Sequence, residues 1–436
     1  MSYPVALTSK RLQQPENSPH ESRILNRQEA KARLQKLTPG TEEHCKLQAA
    51  LINASGIIEI NLPSANYRVN TSSEDCVLLG GFGSSEHVAI GEAVKLQGLP
   101  ENTPLLLKGP TRVQFYHIIA LAGDFYGVVG QAISLPGGTD LEKTERFKMA
   151  FNTIVQADND ELRRVLLEIN HECTAVKNSG LPHHCYSSQL IEQNSAIKKI
   201  KKDIGELLID NSDHFSQNAL DAYRIGHTLA ITMAREAGRQ KDLEGLKRAY
   251  ALDAFACHFL TDLFAAGHIR NQRGELETFL IRDLKFPNDR AKPLAGILTF
   301  AQHEKDGNEG LNVANKKGDQ WRAYGDGSFF TPKNKENKER AIFATQRSVD
   351  EVYHAYLNPD SLEPSTVDQF IPYATPFNPF PIYSIEGNSL FLNQGSMKIE
   401  VKTQFDYLTQ GLSHASRYLP QQYISGFIDG YINPLN

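Results

Sequence analysis

The fold of this chain is decided by residues 254–268, AFACHFLTDLFAAGH. Their many apolar side chains predict a helix that is buried on all sides. His258 and Asp262 are four residues apart and therefore share one face of that helix, and His268 follows Gly267, where a helix can end or bend. A buried histidine and aspartate must either pair with each other or bind a further group. Zinc is the simplest such group, because it takes imidazole nitrogen and carboxylate oxygen.

The composition is that of an ordinary globular protein. The 436 residues are enough for one large domain with extensions or for two domains. A net charge of −5 disfavours nucleic-acid binding through bulk positive charge. Five cysteines without a CxxC spacing do not suggest a disulfide scaffold. No stretch is apolar enough to span a bilayer, and residues 1–28 lack the apolar core of a Sec signal peptide.

Apolar periodicity predicts a mainly α fold with few strands. We expect an N-terminal extension at 1–79, partly disordered apart from a strand at 56–62, a helical domain at 80–358, and a C-terminal extension at 359–436 with strand-like runs. A capped helix is predicted at 84–94, and a second helix, which Thr111 can cap, at 112–122, ending at Gly123. The remaining predicted helices are 145–157, 160–176, 187–208, 216–238, 242–266, 275–283, 291–304 and 336–357.

Further metal-competent side chains recur along this helical region. Most of them begin or end a predicted helix, where several could point at one site. They are His87, Asp124, His214, His303 and Asp306. A cluster of several zinc ions in a helical domain takes its ligands from separate helices in this way. Each ion has two or three protein ligands, and one carboxylate is shared.

The order of these residues resembles that of the bacterial zinc-dependent phospholipase C family. The central HxxxDxxxxxH motif, from His258 to His268, matches the family's central helix without a gap. The AGDFYG segment around Asp124 and the SEHVAIG segment around His87 resemble a subgroup that includes secreted effectors. The resemblance covers roughly residues 80–358. It implies the multi-helix zinc fold that these phospholipases share with S1/P1-type nucleases.

The resemblance also implies a site that holds two to three zinc ions. The implied ligands of the first ion are Asp124, His214, His258 and Asp262. Those of the second are His268, His303 and a carboxylate, for which Asp306 is preferred and Glu304 is the alternative. The third ion would share Asp262 and add His87. The family usually completes this third site with an N-terminal tryptophan, whereas the only tryptophan here is Trp321.

The implied activity is that of a phosphoric diester hydrolase that releases diacylglycerol and a phosphorylated headgroup from glycerophospholipids in a membrane surface, with phosphatidylcholine as the expected substrate. Asp124 is the candidate general base as well as a ligand. Phe125 and Tyr126 are candidate headgroup contacts, since a choline ammonium is attracted to aromatic faces.

Two alternatives use the same fold. One is an S1/P1-type nuclease, although residues 262–268 lack the polar and proline-containing insert typical of that group. The other is a non-catalytic module that binds a membrane or a host protein. The polar N-terminus fits secretion by a Sec-independent route, as a host-delivered effector, and fits a cytoplasmic protein equally well.

Overall fold

The computed structural model of this chain describes residues 83–419 apart from 136–137, 180–205, 208–209, 211 and 326–327, and also 23–25, 36, 57–61 and 66–70. The chain divides into two compact units, Met1–Ser72 and Ser73–Asn436. In the first unit, strand β3 (Asn66–Asn70) pairs with β1 (Arg23–Leu25) in parallel and with β2 (Ile57–Asn61) in antiparallel. The predicted strand at 56–62 is thereby confirmed. Apart from β1, β3 and residue 36, the rest of the predicted extension lies outside the described residues.

The second unit is mainly helical. Its ten main described helices are α1 (Ser84–Ala93), α2 (Phe115–Leu121), α3 (Asp140–Gln156), α4 (Asn159–Ser179), α5 (Ser216–Gln240), α6 (Leu243–Asp262), α7 (Ala266–Ile269), α8 (Arg273–Arg282), α9 (Asn288–Glu309) and α10 (Lys335–Leu357). A mainly α fold is therefore confirmed. The predicted helix at 187–208 falls almost wholly outside the described residues.

Helix α6 is the centre of this unit. Asp242 caps its first turn by accepting a hydrogen bond from the backbone N–H of Glu244, and Lys241, with φ of 53°, makes the short turn from α5. Every residue from Ala249 to Asp262 is buried, because α5, α10 and α2 pack around it. The predicted all-round burial of the central stretch is correct, and this burial fixes the positions of its polar side chains.

The predicted helix at 112–122 begins later than expected. Thr111–Val113 form strand β5, which pairs with β4 (Leu106–Lys108), and the helix starts at Phe115. Thr111 therefore does not cap it. The predicted end is correct, since Gly123 follows with φ of 70°.

Two small antiparallel sheets accompany the later helices. Strand β6 (Leu311–Ala314) pairs with β7 (Gln320–Ala323) and with β8 (Tyr373–Ala374). Strand β10 (Ser389–Gln394) pairs with β9 (Tyr383–Glu386) and β11 (Met397–Val401). The strand-like runs predicted beyond residue 359 are thus strands.

The C-terminal residues build a second hydrophobic core against α8 and α9. Polar contacts fix them there, because the hydroxyl of Tyr383 donates to Asn271 and that of Tyr407 donates to the backbone of Leu294, each at 2.8 Å. The segment therefore supports the helix that carries His303. Among the described residues, no helix has the length and apolarity needed to cross a membrane.

Candidate metal centre

Four histidines converge on the carboxylate of Asp262, at the end of α6. The distances to the nearer carboxylate oxygen are 2.8 Å from His214 Nδ1, 3.4 Å from His258 Nε2, 3.5 Å from His87 Nε2 and 3.9 Å from His268 Nδ1. All four histidine side chains and Asp262 are almost completely buried. The sequence prediction that these five residues form one site agrees with this geometry.

Three of the donor atoms form a compact triangle. Nδ1 of His214, Nε2 of His258 and Oδ2 of Asp262 lie 2.8, 3.0 and 3.4 Å apart. Donor atoms bound to one tetrahedral zinc at about 2.0–2.2 Å lie roughly 3.3–3.6 Å from one another. A metal ion among these three atoms would therefore need shifts of only a few tenths of an ångström.

A second group of donor atoms adds the aspartate that precedes the site in the chain. Atoms of His87, Asp124 and His258 lie within 4.8 Å of one another. Asp124 also approaches His214, with Oδ1 4.0 Å from Nδ1. Its side chain is 13% exposed, whereas the four histidines around Asp262 are 0–2% exposed. Asp124 is therefore where this group meets solvent.

The backbone and a hydroxyl orient three of the rings. His258 Nδ1 donates to the carbonyl of Ile119 at 2.8 Å, and His268 Nδ1 donates to the carbonyl of His214 at 2.7 Å. His87 Nδ1 donates to the Thr261 hydroxyl at 2.9 Å, since that hydroxyl itself donates to backbone carbonyls one turn earlier. Each ring therefore carries its lone pair on Nε2, as metal-binding histidines do.

The rings are also held uncharged. Burial and the neighbouring histidines lower the pKa of His258 and of His268 well below the usual range, and burial lowers that of His214 although Asp124 opposes the shift. Near neutral pH these histidines are therefore uncharged. Nε2 of His268 is buried and has no hydrogen-bond partner within the described part of the chain. A buried acceptor nitrogen of this kind is suited to binding a metal ion.

His303 of α9 lies beside His268, with ring centroids 5.1 Å apart. Gly267 makes this approach possible, because a Cβ at that position would lie 2.5 Å from Cδ2 of His303. Gly123 does the same for the first group, where a Cβ would lie 2.6 Å from Cε1 of the His214 ring. The two glycines thus allow the rings of His303 and His214 to approach the backbone closely.

Asp306, the preferred carboxylate ligand of the second ion, forms an ion pair with Arg270. Both oxygens of Asp306 accept hydrogen bonds from Arg270, at 2.8 and 2.7 Å, and Gln302 donates to the same carboxylate. Metal binding by Asp306 stays a prediction, and in this structure both of its oxygens are engaged by this bidentate ion pair. Glu304 is the carboxylate near His303, with Oε1 3.3 Å from Nδ1.

The two residues predicted to contact a headgroup are buried in the core. Phe125 is 3% exposed and Tyr126 is 1% exposed, and both belong to the main core. The hydroxyl of Tyr126 donates to Glu161 at 3.1 Å. A cavity of about 40 Å³ beside Tyr126 and His214 is too small for a headgroup. These rings support the loop of Asp124 from below.

Sequence reasoning missed three residues that shape the site. Thr261 orients His87, and Arg270 takes Asp306 away from the metal-competent groups. Asp213 accepts hydrogen bonds from the backbone of Ile133 and Ser134, which fixes the segment before His214. Only Thr261 had a signal, because it lies inside the central motif and directly precedes Asp262.

Comparison of the chain with models of protein families, with curated proteins and with solved structures finds no match in any of the three.

Proposed function

We propose that this chain is a zinc-dependent phosphodiesterase of the phospholipase C type, which cleaves the glycerol-side phosphodiester bond of glycerophospholipids. The observation that carries the proposal is the convergence of four buried histidines on Asp262, three of them oriented through Nδ1. A structural core rarely collects uncharged histidines around one carboxylate, because each polar ring costs free energy to bury.

The donor set suits zinc. Imidazole nitrogens and carboxylate oxygens are zinc ligands, and the triangle of His214, His258 and Asp262 has nearly the required spacing. Asp124 and His87 extend this group, and His268 with His303 offers a further pair. Zinc bound here would supply Lewis acidity toward phosphoryl oxygens and a water of lowered pKa.

Different residues of the site would have different roles in the reaction. The negative charge of Asp262 would attract a cation to the centre of the four histidines that surround its carboxylate. Asp124 is the carboxylate with access to solvent, so it is the residue to accept a proton from an attacking water. The surrounding apolar wall of Phe215 and Phe259 excludes other water and strengthens electrostatic interactions with the phosphate.

The decisive experiment is zinc content together with phosphocholine release from phosphatidylcholine vesicles. Both are measured for the wild type, for His258→Ala and for His171→Ala. His171 is a matched control, because its side chain is 73% exposed on α4. We expect two to three zinc ions and full activity in the wild type and in the control. We expect His258→Ala to lose its activity and at least one of the zinc ions.

Two outcomes would change the conclusion. If the protein binds zinc but does not hydrolyse lipid, the proposed substrate is wrong. Nucleic acid, the substrate of an S1/P1-type nuclease, would then be tested. Absence of zinc from metal-replete, folded wild-type protein would overturn the metal centre itself, and a non-catalytic module would then remain.

A further inference from the structure

We propose that an aromatic loop, residues 373–381 (YATPFNPFP), and the neighbouring turn at 315–318 (NKKG) form a surface that docks on a glycerophospholipid bilayer. The inference rests on the proposed function in one respect, since the same bilayer would supply the substrate. It stands on four observations: exposure, rigidity, position and charge.

The loop exposes three large aromatic side chains within eight residues. Phe377 is 87% exposed, Phe380 54% and Tyr373 51%. A buried aromatic side chain contributes strongly to stability, so folded chains seldom leave several of them together in water. Such a local group of exposed rings is typical of a surface that is covered by something else.

The loop holds these rings out on a fixed backbone. The side chain of Asn378 donates to the carbonyls of Asn312 and Thr375 and accepts from the N–H of Asn312, all at 2.7–2.9 Å. The N–H of Thr375 donates to the carbonyl of Asn312 at 2.9 Å. Prolines at 376, 379 and 381 restrict the chain further. Insertion of the rings into a bilayer would therefore order little additional backbone.

The loop is attached beside the candidate metal centre. Arg270 donates to the carbonyl of Pro379 at 2.8 Å while it also holds Asp306 on α9. It follows His268 by two residues, and His303 lies one turn before Asp306 on α9. Through Arg270 the loop is therefore bonded to the segment that follows His268 and to α9, which carries His303.

Positive charge adjoins the aromatic loop. Tyr373 pairs with Ala314 across the sheet, and the turn that follows Ala314 presents Lys316 and Lys317, both exposed. Exposed lysines beside aromatic rings suit the level of lipid phosphates, where aromatic bodies and cationic tips are both favoured. A protein partner with an apolar groove would not need these lysines, so the bilayer is the occupant that the observations favour.

The test is sedimentation of the full chain with phosphatidylcholine vesicles, prepared with and without phosphatidylserine. The test variant is Phe377→Ser with Phe380→Ser. Its control is Phe405→Ser, because Phe405 is 73% exposed and lies outside the loop. We expect the double variant to lose at least about tenfold in vesicle partitioning and the control to keep it. Lys316→Glu with Lys317→Glu should weaken binding to the vesicles that contain phosphatidylserine.

Hydrolysis of a short-chain phosphatidylcholine, kept monomeric, separates this inference from the proposed function. We expect the double variant to retain that hydrolysis while its vesicle hydrolysis falls with its binding. If no protein hydrolyses the monomer, the proposed function fails, and the sedimentation still decides the docking surface. Unchanged vesicle binding by the double variant, or no vesicle binding by the wild type, overturns the docking surface. Should the double variant not fold, Phe377→Ser alone takes its place.

Discussion

Two groups of buried histidine and acid share helix α6, and they differ in charge. In the central cluster, at the end of α6, four histidines share Asp262 and the pKa values of His214, His258 and His268 are lowered. In the second, which we call the His227 cluster, one histidine has two carboxylates. His227 Nδ1 lies 2.7 Å from Asp253, and its Nε2 lies 3.1 Å from Glu351.

The second arrangement makes a cation. Burial alone would lower the pKa of His227, but Asp253 and Glu351 raise it to about 9. The hydroxyl of Ser348 donates to Asp253, and Tyr223 donates to Ser348, so the carboxylate that faces the cation is further stabilised. In this chain, the number of carboxylates beside each ring therefore decides whether a buried histidine stays uncharged or becomes part of an ion pair.

The largest expected effect comes from the shared carboxylate of the central cluster. Asp262→Asn should lower zinc affinity by at least about a hundredfold, because the amide is a poor metal ligand and brings no charge to the rings. The measurement is zinc content after dialysis, together with the rise in Tm on zinc addition. Asp319→Asn, at a residue whose side chain is 45% exposed, is the control. Full zinc binding by Asp262→Asn would remove the distinction between the two clusters.

Loss of a carboxylate from the His227 cluster should act on stability instead. Asp253→Asn is expected to lower the free energy of unfolding by about 3–5 kcal/mol, since it leaves a buried cation short of one partner. Urea unfolding gives this value, and zinc content should stay at the wild-type level. A loss of zinc in a variant that remains folded would show that the two clusters are coupled.

The pH dependence of stability should sharpen the contrast. Since the pKa of His227 rises from 6.5 to about 9 on folding, its stabilisation is fully present below pH 6.5 and is lost as the pH rises through 9. The contribution at pH 6 is on the order of 3 kcal/mol. Urea unfolding of the wild type and of His227→Gln should differ by this amount at pH 6 and converge above pH 9. A constant difference would contradict a protonated His227.

The smallest effect concerns the orientation of one ring. Thr261→Val keeps the shape of the side chain but removes the hydroxyl that accepts from His87, so one zinc should bind about tenfold more weakly. Competition with a chelator measures this affinity. Thr345→Val is the matched control, since Thr345 is equally buried and its hydroxyl also donates one turn back, to Ala341. Equal affinities in the two variants would mean that packing alone orients His87.

The sequence could predict what is local. The spacing of His258 and Asp262 places both on one helix face, and the apolar run around them predicts burial, so α6 and the core of its site follow from helix geometry. His87 and His214 also approach His258, although they precede it in the sequence by 171 and by 44 positions. It depends on how α1 and the start of α5 pack, and no spacing encodes that.

Contacts between distant segments also determine the surroundings of three other predicted site residues. Asp306 has the right spacing from His303, but Arg270, a residue 36 positions earlier, takes its carboxylate. Phe125 and Tyr126 stand beside a site residue in sequence, yet the loop turns both rings into the core. In each case a contact between distant segments decides the role of the side chain.

The depth of the central cluster has a consequence for exchange. The candidate ligands around Asp262 are 0–2% exposed, and among the described residues that approach them Asp124, at 13%, is more open to solvent. If this site holds an ion, we expect its release to require local opening of the surrounding segments as well as breaking of the ligand bonds. The lifetime of a bound ion would then report on how often this part of the protein opens.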